Sequence, residues 1–194
     1  SFKVTYGRSD VVNSVWFEAT NCELVDPGED NTRIECDSAA GYGAVHKWRV
    51  EVMRDATGNL EGDSTSDSPA ITSYFTPKIT SVKATIDPDT KTMALSTSGN
   101  EEITIIGENF GPANLELEGY YGAGGRGSWY CAIKCTVTEA NTKATCTTRS
   151  GTGTNHVWKI GIAAHEWNGD VSSSRTGYKN PTIFSVKNCD VLTP

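Results

Sequence analysis

The chain repeats itself, and that constrains its fold more than any other feature. Trp16-Phe17, with Cys22 close behind, returns as Trp129-Tyr130 with Cys135, displaced by 113 positions. Asn31-Thr-Arg-Ile-Glu-Cys36 returns as Asn141-Thr-Lys-Ala-Thr-Cys146, displaced by 110. Gly41-Tyr-Gly43 and His46-Lys-Trp48 return at the same displacement as Gly151-Thr-Gly153 and His156-Val-Trp158. Gly62-Asp63 matches Gly169-Asp170 at 107, and Pro77 with Ser81-Val82 matches Pro181 with Ser185-Val186 at 104. The displacement falls steadily along the chain, as expected if each connecting loop of the first repeat is slightly longer. Chance does not order matches in this way, so the chain is a tandem duplication.

Periodicity assigns the repeats to strands. His46, Trp48, Val50 and Val52 alternate with Lys47, Arg49 and Glu51, which places the apolar set on one face of a strand. His156, Trp158, Ile160 and Ile162 do the same in the second repeat. Trp48 and Trp158 are therefore core candidates. Thr32–Cys36 and Thr142–Cys146 are predicted short strands ahead of that one. Phe2–Thr5 and Leu115–Glu118 are predicted strands leading to Tyr6-Gly7 and Tyr121-Gly122. Glu61-Gly-Asp63 and Asn168-Gly-Asp170 read as hairpin turns. Short strands at this spacing predict an all-β sandwich.

Six cysteines at recurrent spacings, with no C-x-x-C pair, favour a disulfide framework and an oxidising compartment. Reduced, buried thiols are the plain alternative. Cys22 with Cys36, and Cys135 with Cys146, occupy equivalent places and are expected to pair. A zinc site fits poorly, since no histidine stands in register as a further ligand. Cys131 and Cys189 have no repeat counterparts; they either pair with each other or Cys189 belongs to a following module.

Glu102-Ile-Thr-Ile-Ile-Gly-Glu-Asn-Phe-Gly-Pro112 is the most distinctive single stretch. Ile103 and Ile105 alternate with polar neighbours as on a half-buried strand, and Gly107, Asn109 and Gly111-Pro112 force a turn with Phe110 as an apolar plug. This stretch resembles the strand-and-turn signature of IPT/TIG domains, the immunoglobulin-like module shared by plexins and some transcription factors. The resemblance implies tandem immunoglobulin-like β-sandwiches, the first incomplete: a partial domain over 1–76, a complete one over 77–182, and the opening strand of a further domain over 183–194. On this reading the chain is a window cut from a longer array, out of register with its domain boundaries. The groove left in the first repeat would then be closed by a preceding segment or a neighbouring copy. The join at Pro77 has no flexible spacer, so the two domains should form a stiff rod.

Other constellations have plain readings. His46 and His156 recur on the face that carries the tryptophan, without a nucleophile motif nearby, and read as structural. His165 and Trp167 lie near a predicted hairpin tip, where Trp167 is a candidate contact for a sugar ring or a partner protein. Gly119–Gly127 contains Gly-Ala-Gly-Gly-Arg-Gly, but no helix opens after it, so it reads as a flexible loop and not a phosphate cradle. Asp26, Glu29 and Asp30, like Asp87 and Asp89, are too sparse for a calcium loop. No cofactor or metal is implied. No Asn-x-Ser/Thr sequon occurs; Ser64, Thr65, Ser66, Ser68, Thr76, Ser172, Ser173, Ser174 and Thr176 are compositional candidates for O-linked sugars.

The net charge of −7 disfavours nucleic acid as a partner, and no apolar run reaches the ~20 residues of a membrane span. The expected function is a structural or adhesive segment of an extracellular or cell-surface array, joined head-to-tail to neighbouring copies or adjacent domains. A binding module for glycans or a partner protein is the alternative, and an enzyme is not expected.

Overall fold

The computed structural model describes residues 2–10, 14–25, 33–53, 60–62, 70–84, 93–123, 129–162 and 171–185. In chain order the first repeat contributes β1 (Phe2–Gly7), β2 (Trp16–Glu18), β3 (Thr20–Leu24), β4 (Ile34–Asp37), β5 (His46–Met53), β6 (Leu60–Gly62) and β7 (Ile71–Thr72). Then come β8 (Lys78–Lys83), β9 (Ala94–Leu95), β10 (Glu102–Glu108), β11 (Glu116–Gly122) and β12 (Trp129–Cys131). The last four are β13 (Lys134–Glu139), β14 (Lys143–Thr147), β15 (Val157–Gly161) and β16 (Gly177–Tyr178). No helix occurs among the described residues. The protein is all-β, and every strand pair except the short parallel β16–β9 runs antiparallel.

The duplication is visible in the strand registers. In the first repeat β1 pairs with β5, Tyr6 opposite Trp48, and with β2, Tyr6 opposite Phe17. In the second, β11 pairs with β15, Tyr121 opposite Trp158, and with β12, Tyr121 opposite Tyr130. Tyr6 is thus the counterpart of Tyr121, and Phe2 aligns with Leu117 rather than with Leu115. The hairpins β3–β4 and β13–β14 correspond in the same way. β11 serves two sheets, its first residues pairing with β13 and its later ones with β12 and β15. Such a change of partner carries a chain from one layer to another, and the arrangement fits a β-sandwich.

One difference between the repeats decides the packing. β14 has β13 on one side and β10 on the other, and β8 adds to the far side of β10. β4 pairs only with β3 among the described residues. The second repeat accordingly has a full core: Ile79, Val82, Leu95, Ile103 and Ile105 lie over Ala144, Cys146, Trp158 and Ile160, all buried. In the first repeat the buried apolar residues of the core cluster, among those described, are Val4, Tyr6 and Ala19, and Trp48, Val50, Ile34 and Cys36 are partly exposed. The residue that matches the buried Ile162 is Val52, which is 50% exposed. Equivalent side chains differ in burial because residues 79–105 cover one set and no described residues cover the other.

Several local expectations change. Leu60–Gly62 is a strand paired to β5, with Gly62 opposite Val52, so the chain reverses before Leu60 and Glu61-Gly62 is not the turn. Gly119–Gly122 lies in β11 and is not loop. A Cβ on Gly119 would stand 2.2 Å from the Cys135 sulfur, so this strand position is glycine because the disulfide packs against it.

Candidate functional site

Each repeat is built around the same five rings. In the second repeat Tyr121 stacks on Trp158 at 4.3 Å between centroids, and His156 sits among Tyr121, Tyr130 and Tyr178. In the first, Tyr6 stacks on Trp48 at 4.4 Å, with His46 among Tyr6, Phe17 and Tyr74. A phenol has one proton to donate. Both phenols reach the Arg149 carbonyl, Tyr178 at 2.7 Å and Tyr121 at 3.3 Å, and the two hydroxyls share a 2.7 Å hydrogen bond. Tyr74, Ala39 and Tyr6 repeat this at 2.5 and 2.6 Å. The indole N–H of Trp158 donates to Thr176 Oγ1 at 3.0 Å, and that of Trp48 to Thr72 Oγ1 at 2.9 Å. Gly43 and Gly153 have φ near +98° and +99°, and a Cβ on either would press on the neighbouring imidazole at 3.1 and 3.0 Å.

Sequence reasoning missed Tyr74 and Tyr178, and Thr72 and Thr176 as their companions. The signal was present: both pairs recur at the same displacement of 104 as Pro77 and Pro181. Burial pushes the Tyr178 and Tyr74 phenols up, well beyond the ordinary tyrosine range.

Burial lowers the pKa of His156 below the ordinary histidine value, and its Nδ1 has no hydrogen-bond partner among the described residues. The unfolded chain therefore takes up this proton first as the solution is acidified. The neutral imidazole contributes stability that is present above pH ~6.5 and lost progressively below it. Thermal unfolding of the second repeat should move to lower temperature between pH 7.5 and 5.5, and His156→Phe should flatten that dependence.

The cysteines that recur between repeats are joined. Cys22 bonds to Cys36 and Cys135 to Cys146, with Cα atoms 4.1 and 4.0 Å apart. Cys135 and Cys146 face each other directly across β13 and β14. Cys131 is an exposed, free thiol, and Cys189 lies outside the described residues.

The signature stretch holds the junction. Ile103, Ile105 and Phe110 are buried, at 1%, 0% and 0% exposure. Asn109 and Gly111 take positive φ, and a Cβ on Gly107 would lie 2.0 Å from the Lys78 carbonyl and 2.5 Å from the Phe110 ring. The turn is tied to the 141–142 hairpin, with Phe110 N–H donating to the Asn141 carbonyl and Asn141 N–H to the Gly111 carbonyl. It also reaches the first repeat. Asn109 Nδ2 donates to the Thr76 carbonyl at 3.3 Å, and Tyr42 packs against the second repeat's core beside Gly111. The crevice there, about 520 Å³, lies between Tyr74 and Phe75 on one side and Asn109 and Pro112 on the other.

A larger groove, of about 990 Å³, runs along β4. Its floor is Val4, Trp48, Val50, Ile34 and Cys36, and Glu23, Glu35 and Asp37 stand along it. These floor residues are the ones that the second repeat buries beneath β8 and β10.

The hydroxyl candidates separate by burial. Ser172 and Thr176 are 2% exposed. Ser172 Oγ receives the Trp158 backbone N–H and donates to the Ser174 carbonyl, while Thr176 Oγ1 receives the indole proton. Neither has room for a sugar in this fold, which corrects the compositional reading for both. Thr76 and Ser173 are exposed and Ser174 is half-buried. Ser64, Thr65, Ser66, Ser68, His165 and Trp167 lie outside the described residues, as do the acidic turns at Asp26, Glu29, Asp30, Asp87 and Asp89.

Among the described residues, no group of three or more His, Cys, Asp or Glu side chains is placed to hold a metal ion. Among the described residues, no helix is long and apolar enough to cross a membrane. No family model matches the chain, and no curated protein matches it.

Proposed function

We propose that this chain is a structural, adhesive segment of an extracellular array, a rod or filament of end-to-end immunoglobulin-like domains of the IPT/TIG kind. One observation carries the reading: two repeats with matching registers meet directly. The second repeat meets the first through Tyr42, Tyr74 and the Thr76 carbonyl. The matching positions at the other end are Thr152, Tyr178 and Asn180. Thr152 and Asn180 are exposed there. The exposed Ile183 and Phe184, at 79% and 93%, follow at the point where the first repeat hands over to β8. Two disulfides support an oxidising compartment. Partners on this reading are adjacent domains or neighbouring copies.

The test is imaging of the purified chain over a range of concentrations. End-to-end rods whose length grows with concentration are the expected result. Single particles with no end-to-end contact at high concentration would count against it.

A further inference from the structure

We propose that the groove along β4 is a docking site for one extended strand of a partner polypeptide, running antiparallel to β4. The proposal rests on the reading of the chain as part of an array, and it names the chemistry of the joint.

The second repeat shows what such a surface takes. There β10 lies antiparallel against β14, with Ile103 opposite Cys146, Thr104 opposite Thr145 and Ile105 opposite Ala144. Cys36 is the counterpart of Cys146, so Ile34 stands for Ala144, Glu35 for Thr145 and Asp37 for Thr147. A strand on β4 in the same register sets one apolar side chain opposite Cys36 and another opposite Ile34. Those side chains fill the space above Trp48 and Val50 that Ile103 and Ile105 fill above Trp158 and Ile160. Main-chain bonding to the β4 edge supplies affinity, and the alternate apolar side chains supply register.

Charge sets the identity of the outward positions. Glu102 faces Thr147 in the second repeat, but the same residue on β4 would face Asp37. The next outward residue, Thr104 in β10, would face Glu35, which stands across from Glu23. Arg33 pairs with Glu35 and Asn21 donates to Asp37, but among the described residues the lining holds Glu23, Glu35 and Asp37 and no basic residue, so the groove stays acidic. Like charges directly opposed are unfavourable and opposite ones favourable. The occupant is therefore a strand with β-branched apolar residues at alternate positions and lysine or arginine facing Glu35 and Asp37. A β10 strand from a second copy meets the apolar requirement and fails the charge requirement.

The test uses the whole chain and two labelled peptides. One has the Glu102–Glu108 sequence; the other carries the same sequence with Glu102→Lys and Thr104→Lys. Fluorescence anisotropy at low salt should show the lysine peptide binding about tenfold more tightly, with the advantage shrinking as salt is raised. The surface variant Glu35→Lys with Asp37→Lys should reverse the preference, and Ile34→Asp should abolish binding of both. Because Ile34→Asp could unfold the first repeat, the charge reversal serves as the independent arm. Binding of neither peptide to the folded chain, or binding indifferent to the charge reversal, would overturn the proposal. So would loss of peptide binding on self-association, since that assigns the groove to a second copy. Rods are scored separately: docking without rods removes the array and leaves the strand site, and rods without docking do the reverse.

Discussion

Trp158→Ala is expected to destabilise the second repeat by about 3–5 kcal/mol, the range for truncating a large buried ring. Trp158 has no exposed surface, stacks on Tyr121 and uses its indole N–H on Thr176. Removing it opens a cavity beneath Ile103 and Ile105 and leaves Thr176 without its donor. Trp48→Ala should cost distinctly less. The first tryptophan makes the same stack and the same hydrogen bond, but its outer side already faces the groove. Water therefore reaches part of the space vacated, and less apolar surface is returned to solvent. Chemical unfolding followed separately in the two repeats measures both costs. Equal costs would mean that Trp48 is as well covered as Trp158.

Much of this architecture was legible beforehand because duplication prints it twice. The displaced series from Trp16 to Pro77 located the strands and paired the four recurring cysteines, since equivalent positions must close equivalent hairpins. Ile103, Ile105 and Phe110 were readable as core because strand alternation followed by Gly-Glu-Asn-Phe-Gly leaves their side chains only one apolar direction. What was not legible depends on contacts between distant segments. Tyr178 reaches the Arg149 carbonyl from a two-residue strand, and no local pattern marks a tyrosine as a link of that kind. Ser172 and Thr176 look like any hydroxyls in a Ser/Thr-rich stretch until Trp158 is placed against them. Gly119 reads as loop by composition, and only the disulfide beside it explains a glycine within a strand.

The two repeats also differ in a way that backbone amides report. β14 is held on both sides, by β13 and β10, and its alternate side chains are buried. β4 is held by β3 alone among the described residues, and its apolar side chains are only half-covered. Amides bonded across a closed core open only with the whole repeat, whereas amides on a bare strand edge meet water in the native state. For a repeat stable by ~4 kcal/mol or more, that contrast amounts to roughly a thousandfold in exchange rate or beyond.

Hydrogen exchange on the chain alone, resolved at Ile34–Asp37 and Lys143–Thr147, is the most direct measurement of whether the first repeat lacks the cover that the second carries. The expected result is slow exchange throughout Lys143–Thr147 and near-solvent exchange at the amides of Ile34–Asp37 that point away from β3. Equally slow exchange in the two strands, with nothing added, would contradict it.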